Sequence, residues 1–267
     1  MTVAPDVAGP PLTVEVNEGI AWLTFARPAA ANAINLETAR LFRDAVRDLV
    51  ADADCRVVVL AGDRRFFCAG GDVSEMLAVA DAGAYLLELA STMHDGIEQL
   101  SSSRLLVLAA VEGVAAGAGF SVVLNADVVV AAPAASFLVA YTEVGLTPDS
   151  GLSALLPRAV GEHRAKELIL LGRRLDAQTA LDWGIVAEVV DEQLFAERVR
   201  QLARRLADAP QPAAAEALRL LSSGRSAPFA EHLAEEAETI SRMVTTATAQ
   251  ERLRSFARKN STERSTR

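Results

Sequence analysis

Short apolar runs separated by turn residues fill the first half of the chain. Two of them flank Asn17-Glu18-Gly19, a sequence typical of a hairpin turn. Three longer runs are apolar at nearly every position, which predicts parallel strands covered on both faces. The predicted strands are Leu12–Val16, Ile20–Phe25, Arg56–Ala61, Leu105–Val111, Ala126–Val130 and Ser136–Ala140.

A helical period of apolar positions follows the hairpin and dominates the chain beyond Asp149. Asn35 is a suitable N-cap for a helix from Leu36 to about Val50. Strands that alternate with helices indicate an α/β fold with a parallel sheet, followed here by a helical extension. The predicted later helices are Leu152–Leu156, Glu162–Leu171, Ala177–Trp183, Asp191–Ala207, Pro212–Leu221 and Phe229–Ala247.

The amino-acid composition excludes several classes of protein. The 267 residues are 51% apolar and carry a net charge of −9, so the chain is globular and lacks the general basic character of nucleic-acid and membrane-surface proteins. The two cysteines, Cys55 and Cys68, form no metal or disulfide pattern, which favours a reduced cytoplasmic setting. The first residues do not resemble a signal peptide, and the most apolar stretch, 113–124, is too short to span a bilayer.

Several common catalytic motifs are absent from the sequence. The chain has no phosphate-binding P-loop, no G-x-G-x-x-G after its first strands and no G-x-S-x-G of a serine hydrolase. Its three histidines show no H-x-x-x-H spacing, so we expect no metal site.

Two glycine-rich segments, Phe67–Asp72 and Glu112–Ser121, each follow a predicted strand and enter a helix. Small residues at such turns allow main-chain N–H groups to face a ligand, with the helix N-terminus adding positive potential. Two facing turns would supply two donors to one oxyanion. The other interpretation is that both are simply tight turns between a strand and a helix.

Together with the segment from Phe137 to Gly151, these residues resemble the enoyl-CoA hydratase/isomerase (crotonase) superfamily. The resemblance runs from about Val14 to Lys259 and implies a crotonase (ClpP/crotonase-like) fold. It predicts a repeated ββα spiral core over 1–205, a helical trimerisation region over 206–267, and a homotrimer or a hexamer built as a dimer of trimers. Supporting matches are Arg27-Pro28, Asn32-Ala33, Leu156-Pro157-Arg158, Gly161, Leu171-Gly172, Ala177, Ala180 and Trp183–Val186.

The family resemblance also implies the ligand and its contacts. The substrate is an acyl-CoA thioester and no separate cofactor is expected. Gly71 and Ala118 match the two residues whose N–H groups hold the thioester oxygen as an enolate forms. The remaining substrate- and CoA-binding matches are the Ala69 carbonyl at the adenine, Arg27 and Lys259 near the phosphates, and Gly70, Asp72 and Tyr141 along the site.

The acid–base positions depart from the family's hydratases, which use two glutamates. Ser121 and Tyr141 stand at those positions, and neither side chain is a base at neutral pH. Asp149 matches the catalytic aspartate of some isomerases in the family, including ring-epoxide/oxepin-CoA isomerases. One carboxylate suffices to move a proton between two carbons, whereas adding water normally takes two groups. The alternative role for Asp149 is a cap for a helix that starts at Ser150.

We therefore predict an enoyl-CoA isomerase with Asp149 as its catalytic acid and base. The alternatives are a hydratase, a non-catalytic acyl-CoA-binding homologue, and a dehalogenase-like enzyme in which Asp149 is a nucleophile. His94 is expected to be structural, and Glu143 is a minor candidate for the site. A local basic rim from Arg27, Arg64, Arg65 and Lys259 would bind the phosphates, and the residues expected to shape the acyl pocket are Phe66, Met76, Leu77 and Tyr85.

Overall fold

The computed structural model describes the backbone of residues 9–265 and the side chains of residues 9–258. Its strands are β1 (Leu12–Asn17), β2 (Ile20–Phe25), β3 (Val57–Ala61), β4 (Phe66–Cys68), β5 (Leu106–Val111), β6 (Val114–Ala116), β7 (Val128–Ala131), β8 (Ser136–Leu138), β9 (Leu175–Asp176) and β10 (Glu188–Val189). Every strand predicted from the sequence is confirmed, with ends shifted by at most two residues.

Helices lie in several of the intervals between these strands and make up most of the described chain after residue 191. They are α1 (Leu36–Ala51), α2 (Val73–Ala78), α3 (Ala82–Ser101), α4 (Ala118–Leu124), α5 (Leu152–Val160), α6 (Glu162–Leu171), α7 (Ala177–Asp182), α8 (Glu192–Ala207), α9 (Ala213–Ser223), α10 (Phe229–Val244) and α11 (Ala247–Ser265). The predicted cap of α1 is confirmed, because the Asn35 side chain accepts a hydrogen bond of 2.9 Å from the Thr38 N–H. Within the described residues, no helix is long and apolar enough to cross a membrane.

Two sheets organise the first part of the chain. The larger has the order β1-β2-β3-β5-β7-β10, in which β1 and β2 form an antiparallel hairpin and every other neighbour is parallel. The smaller has the order β4-β6-β8-β9, with β4, β6 and β8 parallel. All six residues of β5 are buried, as its apolar sequence predicts for a strand covered on both faces.

The chain repeats one path through these sheets. It forms a strand of the large sheet, then a strand of the small sheet, then a helix, as in β3-β4-α2 and β5-β6-α4. The third turn, β7-β8, continues through the 3₁₀ helix Thr142–Val144 to α5. This is the ββα spiral that the resemblance implied, and it places the chain segments that follow β4, β6 and β8 side by side.

The described chain divides into two compact units, the first ending at Ala207 and the second beginning at Asp208. The first holds both sheets, and its core includes an edge-on pair of Phe25 and Phe67 rings with centroids 5.8 Å apart. The second consists of α9, α10 and α11. Inside it, Arg219 of α9 forms ion pairs with Glu216 and Glu235, joining α9 to α10.

Candidate active site

The two glycine turns predicted from the sequence meet in the structure. Because β4 and β6 are parallel neighbours, the loops that leave their carboxyl ends lie at the same edge of the small sheet. A Cβ atom on Gly70 would lie 3.0 Å from the Ala116 oxygen and 3.4 Å from the Ala118 nitrogen. Gly70 and Gly117 also have φ of +100° and +51°, backbone conformations that favour glycine at both positions.

The N–H of Gly71 is directed away from the strand pairing around it. Ile34 forms an isolated parallel bridge with Gly71, using the Gly70 oxygen as acceptor at 2.7 Å and the Asp72 N–H as donor at 2.9 Å. In a parallel bridge these flanking groups make the hydrogen bonds, so the central residue points its own N–H to the other side. The Gly71 N–H is therefore available to a ligand.

The N–H of Ala118 is available for a different reason. Ala118 is the first residue of α4, and the first N–H groups of a helix have no acceptor within that helix. Ala118 and Gly71 both line a cavity of about 410 Å³ in the first unit. The two turns thus place two main-chain donors at one cavity, which is the arrangement that an oxyanion requires.

Most of the wall of this cavity is apolar. Side chains from α2, α3 and the segment after β8 form it, namely Val73, Met76, Leu86, Leu87, Leu89, Met93, Val144 and Leu146. Asp149 is the one carboxylate among the described residues that line it, and Tyr141 lies next to it. Such a wall suits an apolar acyl group, with its polar groups confined to one region.

The Tyr141 hydroxyl donates a hydrogen bond to Oδ1 of Asp149. Burial raises the pKa of Tyr141 well above its usual range, and the negative charge of Asp149 raises it further. Tyr141 is therefore a donor and cannot serve as a base near neutral pH. Ser121, which is fully buried, has its Oγ 3.0 Å from the Tyr141 Oη.

The alternative role of Asp149 as a helix cap is wrong for its side chain. The N-cap of α5 is Gly151, with φ of +84° and no side-chain hydrogen bond to the helix. Only the main-chain oxygen of Asp149 contacts the start of the helix, where it accepts a hydrogen bond of 3.0 Å from the Leu152 N–H. The carboxylate is thereby left to face Tyr141 and the cavity.

Neighbouring helices fix the turn that carries Asp149. Asn125, at the end of α4, donates from Nδ2 to the Ser121 oxygen at 2.8 Å and to the Ser150 oxygen at 2.9 Å. The Ser150 N–H donates to Nε2 of His94 at 3.0 Å. The same nitrogen lies 3.9 Å from Asp149 Oδ2. His94 thus supports the turn, in line with the structural role expected of it.

Two residues of this region have left-handed backbone conformations without being glycine. Ala140 has φ of +58° and Ser150 has φ of +51°, and they are direct chain neighbours of Tyr141 and Asp149. Such conformations cost roughly 1 kcal/mol or more and persist where the surrounding contacts impose them.

Sequence reasoning missed the supporting roles of Asn125 and Ser150, since no local pattern signals a contact between residues 25 positions apart.

Arg27 and Asp72 form an ion pair of 2.9 Å beside the Gly71 turn. Arg27 also donates to the Ala33 oxygen at 2.6 Å, and Asp72 caps α2 by accepting from the Glu75 N–H at 3.2 Å. Both residues therefore hold the turn in place, and their contact with CoA stays a prediction. The same is true of Ala69 and Gly70, which line the cavity. The side chain of Lys259 lies outside the described residues.

Several other candidates lie away from the cavity. Glu143 packs against Gly172, and the Leu77 side chain is exposed. The Tyr85 hydroxyl accepts a hydrogen bond of 3.3 Å from the Leu36 N–H, and Arg65 stacks over the Phe66 ring. Of the four residues expected to shape the acyl pocket, only Met76 lines the cavity in the described part of the chain.

Comparison with known proteins places this site in a family. A family model described as Enoyl-CoA hydratase/isomerase matches residues 15–264. The chain belongs to the enoyl-CoA hydratase/isomerase family. The matched residues include both glycine turns and Asp149.

Individual relatives within the enoyl-CoA hydratase/isomerase family carry different names. The 1,2-epoxyphenylacetyl-CoA isomerase of Escherichia coli (strain K12) is 36% identical over 73% of this chain and 75% of that protein. A protein of Rhodobacter capsulatus named "Probable enoyl-CoA hydratase" is 36% identical over 92% and 94%. The crystal structure of an enoyl-CoA hydratase from Polaromonas sp. JS666 superposes with a TM-score of 0.88 at 30% identity, covering 93% of this chain and 97% of that one.

Proposed function

We propose that this family member is an isomerase that shifts a carbon–carbon double bond of an enoyl-CoA. The observation that carries the proposal is the lone carboxylate of Asp149 on the described wall of the cavity that also holds the Gly71 and Ala118 donors. One carboxylate can take a proton from one carbon and return the same proton to another.

The proposed reaction proceeds through a thioester enolate. The Asp149 carboxylate removes a proton from the α-carbon of a 3-enoyl-CoA, and the negative charge moves onto the thioester oxygen. The N–H groups of Gly71 and Ala118 hold that oxygen, which lowers the energy of the enolate. Protonated Asp149 then gives the proton to the γ-carbon, leaving the double bond conjugated with the thioester. No proton is gained or lost overall, and the reaction needs no cofactor.

Hydration is the second candidate, because the Rhodobacter capsulatus and Polaromonas relatives carry hydratase names. Adding water requires one group to deprotonate the water and another to protonate the α-carbon. Tyr141, with its raised pKa, and Ser121 are both hydrogen-bond donors at neutral pH. The name of the Escherichia coli relative and the single carboxylate both favour isomerisation.

The test compares the two reactions in the wild type and in Asp149→Asn. We expect isomerisation of a 3-enoyl-CoA to fall by about 10²–10⁴-fold, the usual contribution of a general acid–base group. Amide for carboxylate preserves the shape, so a calorimetric titration should show that the variant still binds the CoA ester. Glu143→Gln is the matched control, since that carboxylate lies six residues away against Gly172, and its activity should equal the wild type.

Two outcomes would contradict the isomerase proposal. If Asp149→Asn keeps its isomerase rate, Asp149 is not the acid–base group. If the wild type binds CoA esters but hydrates 2-enoyl-CoA faster than it isomerises 3-enoyl-CoA, the chain is a hydratase. Binding without turnover on either substrate would assign it to non-catalytic acyl-CoA binding.

A further inference from the structure

Two hydroxyl oxygens connect Asp149 to a buried main-chain carbonyl. The Tyr141 hydroxyl contacts Oδ1 of Asp149, and the Ser121 Oγ lies 3.0 Å from the Tyr141 Oη. The Ser121 Oγ also lies 3.2 Å from the oxygen of Gly117. Asp149 Oδ1, Tyr141 Oη, Ser121 Oγ and the Gly117 oxygen therefore form a series of neighbouring atoms. This series runs from the cavity into the first turn of α4, next to the Ala118 N–H.

Each hydroxyl group of this series carries one hydrogen and has two possible acceptors at hydrogen-bond distance. When Asp149 is a carboxylate, Tyr141 donates to it and Ser121 donates to Tyr141. When Asp149 carries a proton on Oδ1, that proton is donated to the Tyr141 Oη. Tyr141 then donates to Ser121, and Ser121 donates to the Gly117 oxygen. Every hydrogen of the series has an acceptor in both states.

The surroundings limit the hydrogen-bond partners of the two hydroxyl groups. Ser121 is fully buried and Tyr141 is 9% exposed, so water is not available as a general substitute partner. In the described part of the chain, two titratable side chains face Asp149, Tyr141 from the segment after β8 and His94 from α3. The Nε2 of His94 accepts a hydrogen bond from the Ser150 N–H.

We propose that Ser121 and Tyr141 are positioning residues that form a reversible hydrogen-bond chain for Asp149. The chain reverses direction when Asp149 accepts the substrate proton and reverses again when Asp149 returns it. Only the substrate proton is transferred, between carbon and Asp149, while the two hydroxyl groups rotate and keep their own hydrogens. This inference rests on the proposed isomerase function and explains which role Ser121 and Tyr141 have in place of glutamates.

The test uses two variants with opposite expected effects on the pKa of Asp149. Tyr141→Phe removes the donor to the carboxylate, so that pKa should rise by about one unit. Ser121→Ala leaves this donor but removes the acceptor that Tyr141 needs when Asp149 is protonated, so the pKa should fall by a similar amount. Since the base must be ionised, the acid limb of kcat/KM should move to higher pH in Tyr141→Phe and to lower pH in Ser121→Ala.

A second measurement reads the same shifts without turnover. The carboxyl ¹³C resonance of Asp149, assigned by its loss in Asp149→Asn, is titrated in the free protein and in both variants. Each substitution deletes one oxygen and adds no atom, and thermal melting checks that the variants are folded. If Ser121→Ala does not fold, Ser121→Cys should show a smaller shift of the same sign, because a thiol is a weaker partner. Thr92→Val is the control, since it removes a buried hydroxyl bonded to the Glu88 oxygen outside the series and should leave both pH profiles unchanged.

The outcomes separate the two proposals. Shifts of opposite sign support the reversible chain. A Ser121→Ala shift that is absent, or upward as in Tyr141→Phe, overturns it, because Tyr141 then donates to Asp149 in both states. Retention of isomerase activity by Asp149→Asn would instead refute the proposed function, whatever the sign of the shifts.

Discussion

At the scale of single residues, the groups proposed to bind the oxyanion are main-chain N–H groups. Gly71 keeps its N–H free because the bridge to Ile34 uses the atoms of Gly70 and Asp72. Ala118 keeps its N–H free because α4 begins there. In the proposed reaction these donors face the thioester oxygen, where charge develops as the enolate forms.

Replacing Ala118 with proline should remove one donor with little harm to the fold. Proline is favoured at the first position of a helix, where its missing N–H would have no helical partner. We expect kcat for isomerisation to fall by about 10²–10³-fold, the usual effect of losing one oxyanion donor. Steady-state kinetics give the loss, and the melting temperature shows whether the fold is retained.

Ala118→Ser is the matched control, because it changes the side chain at the same position and keeps the N–H. Its kcat should remain within a few-fold of the wild-type value, which is much less than the loss expected from removing a donor. Equal losses in the proline and serine variants would mean that the side-chain environment of Ala118, and not its N–H, controls the rate.

Asp149 marks the limit of prediction from sequence at this scale. The sequence identifies it as a candidate but leaves open whether its side chain caps a helix or faces a cavity. That choice depends on Gly151, whose φ of +84° moves the start of α5 beyond the reach of the Asp149 side chain. The supporting contacts from His94 and Asn125 come from distant parts of the chain, so a local pattern cannot reveal them.

At the scale of secondary-structure elements, α4 serves both halves of the site. Its first residue supplies the Ala118 donor, and Ser121, one turn later, contacts Tyr141. Asn125 follows its last residue and connects it to the turn carrying Asp149 through the Ser150 oxygen. The spacing between the Ala118 N–H and the Asp149 carboxylate therefore depends on this one short helix.

Asn125→Ala should disturb this connection. It removes two hydrogen bonds and leaves the Ser150 oxygen without its donor, which typically costs about 1–3 kcal/mol of stability. We also expect kcat to fall, because Asp149 is no longer held at a fixed distance from Gly71 and Ala118. Urea denaturation measures the stability change, and isomerase kinetics measure the change in kcat.

Gln178→Ala is the control for this element-scale prediction. Its amide also bonds within one helix, to Asp182 at 2.9 Å, but at an exposed position. We expect a change within about 0.5 kcal/mol and unaltered activity. If Asn125→Ala behaves like this control, α4 does not position Asp149 through Asn125.

Long apolar runs and a good N-cap made most elements predictable, as β3, β5 and α1 show. The strands that the sequence did not reveal are β4, β6, β9 and β10, which have two or three residues each. So short a strand shows no periodicity, and its pairing partner decides its existence. β4 lies where the sequence predicts no strand, yet its pairing with β6 brings the two glycine turns together.

At the scale of the whole molecule, an acidic protein is proposed to bind a polyanion. A net charge of −9 repels coenzyme A, whereas a local group of arginines attracts its phosphates. Arg27 is ion-paired with Asp72 at 2.9 Å, but Arg64 is 82% exposed and reaches Glu112 only at 3.7 Å. Arg64 is therefore the predicted rim residue best able to contact a phosphate in the described part of the chain.

The dependence of KM on salt concentration distinguishes these two electrostatic effects. If local arginines bind the phosphates, screening by salt weakens their attraction for the CoA ester. KM for the CoA ester should then rise several-fold between 0.05 M and 0.5 M salt, roughly the range over which the Debye length falls below 10 Å. If the net charge dominates, screening weakens repulsion and KM should fall. Steady-state kinetics at constant pH measure the sign directly.

The pantetheine thioester without the nucleotide phosphates is the matched control substrate. Its KM should be insensitive to salt under either interpretation, which removes general salt effects from the comparison. Arg64→Gln should flatten the dependence seen with the CoA ester. An unchanged dependence in that variant would place the phosphate contact on another residue.

The overall architecture was predictable because the resemblance extended over nearly the whole chain. The crotonase fold is confirmed by the repeated ββα path and by solved relatives with TM-scores up to 0.88. Assembly into trimers through residues 206–267 stays a prediction, since subunit contacts depend on surfaces that the order of elements does not specify.

The origin of the two oxyanion donors has an evolutionary consequence. A strand bridge and a helix start create them, so most side-chain substitutions at Gly71 or Ala118 would leave the N–H groups chemically present. The proposed acid–base group Asp149 and its hydrogen-bond partners, by contrast, are ordinary side chains at positions 121, 141 and 149 that single nucleotide changes can alter. Such a division lets a lineage keep its capacity to stabilise enolates while it exchanges one reaction on those enolates for another.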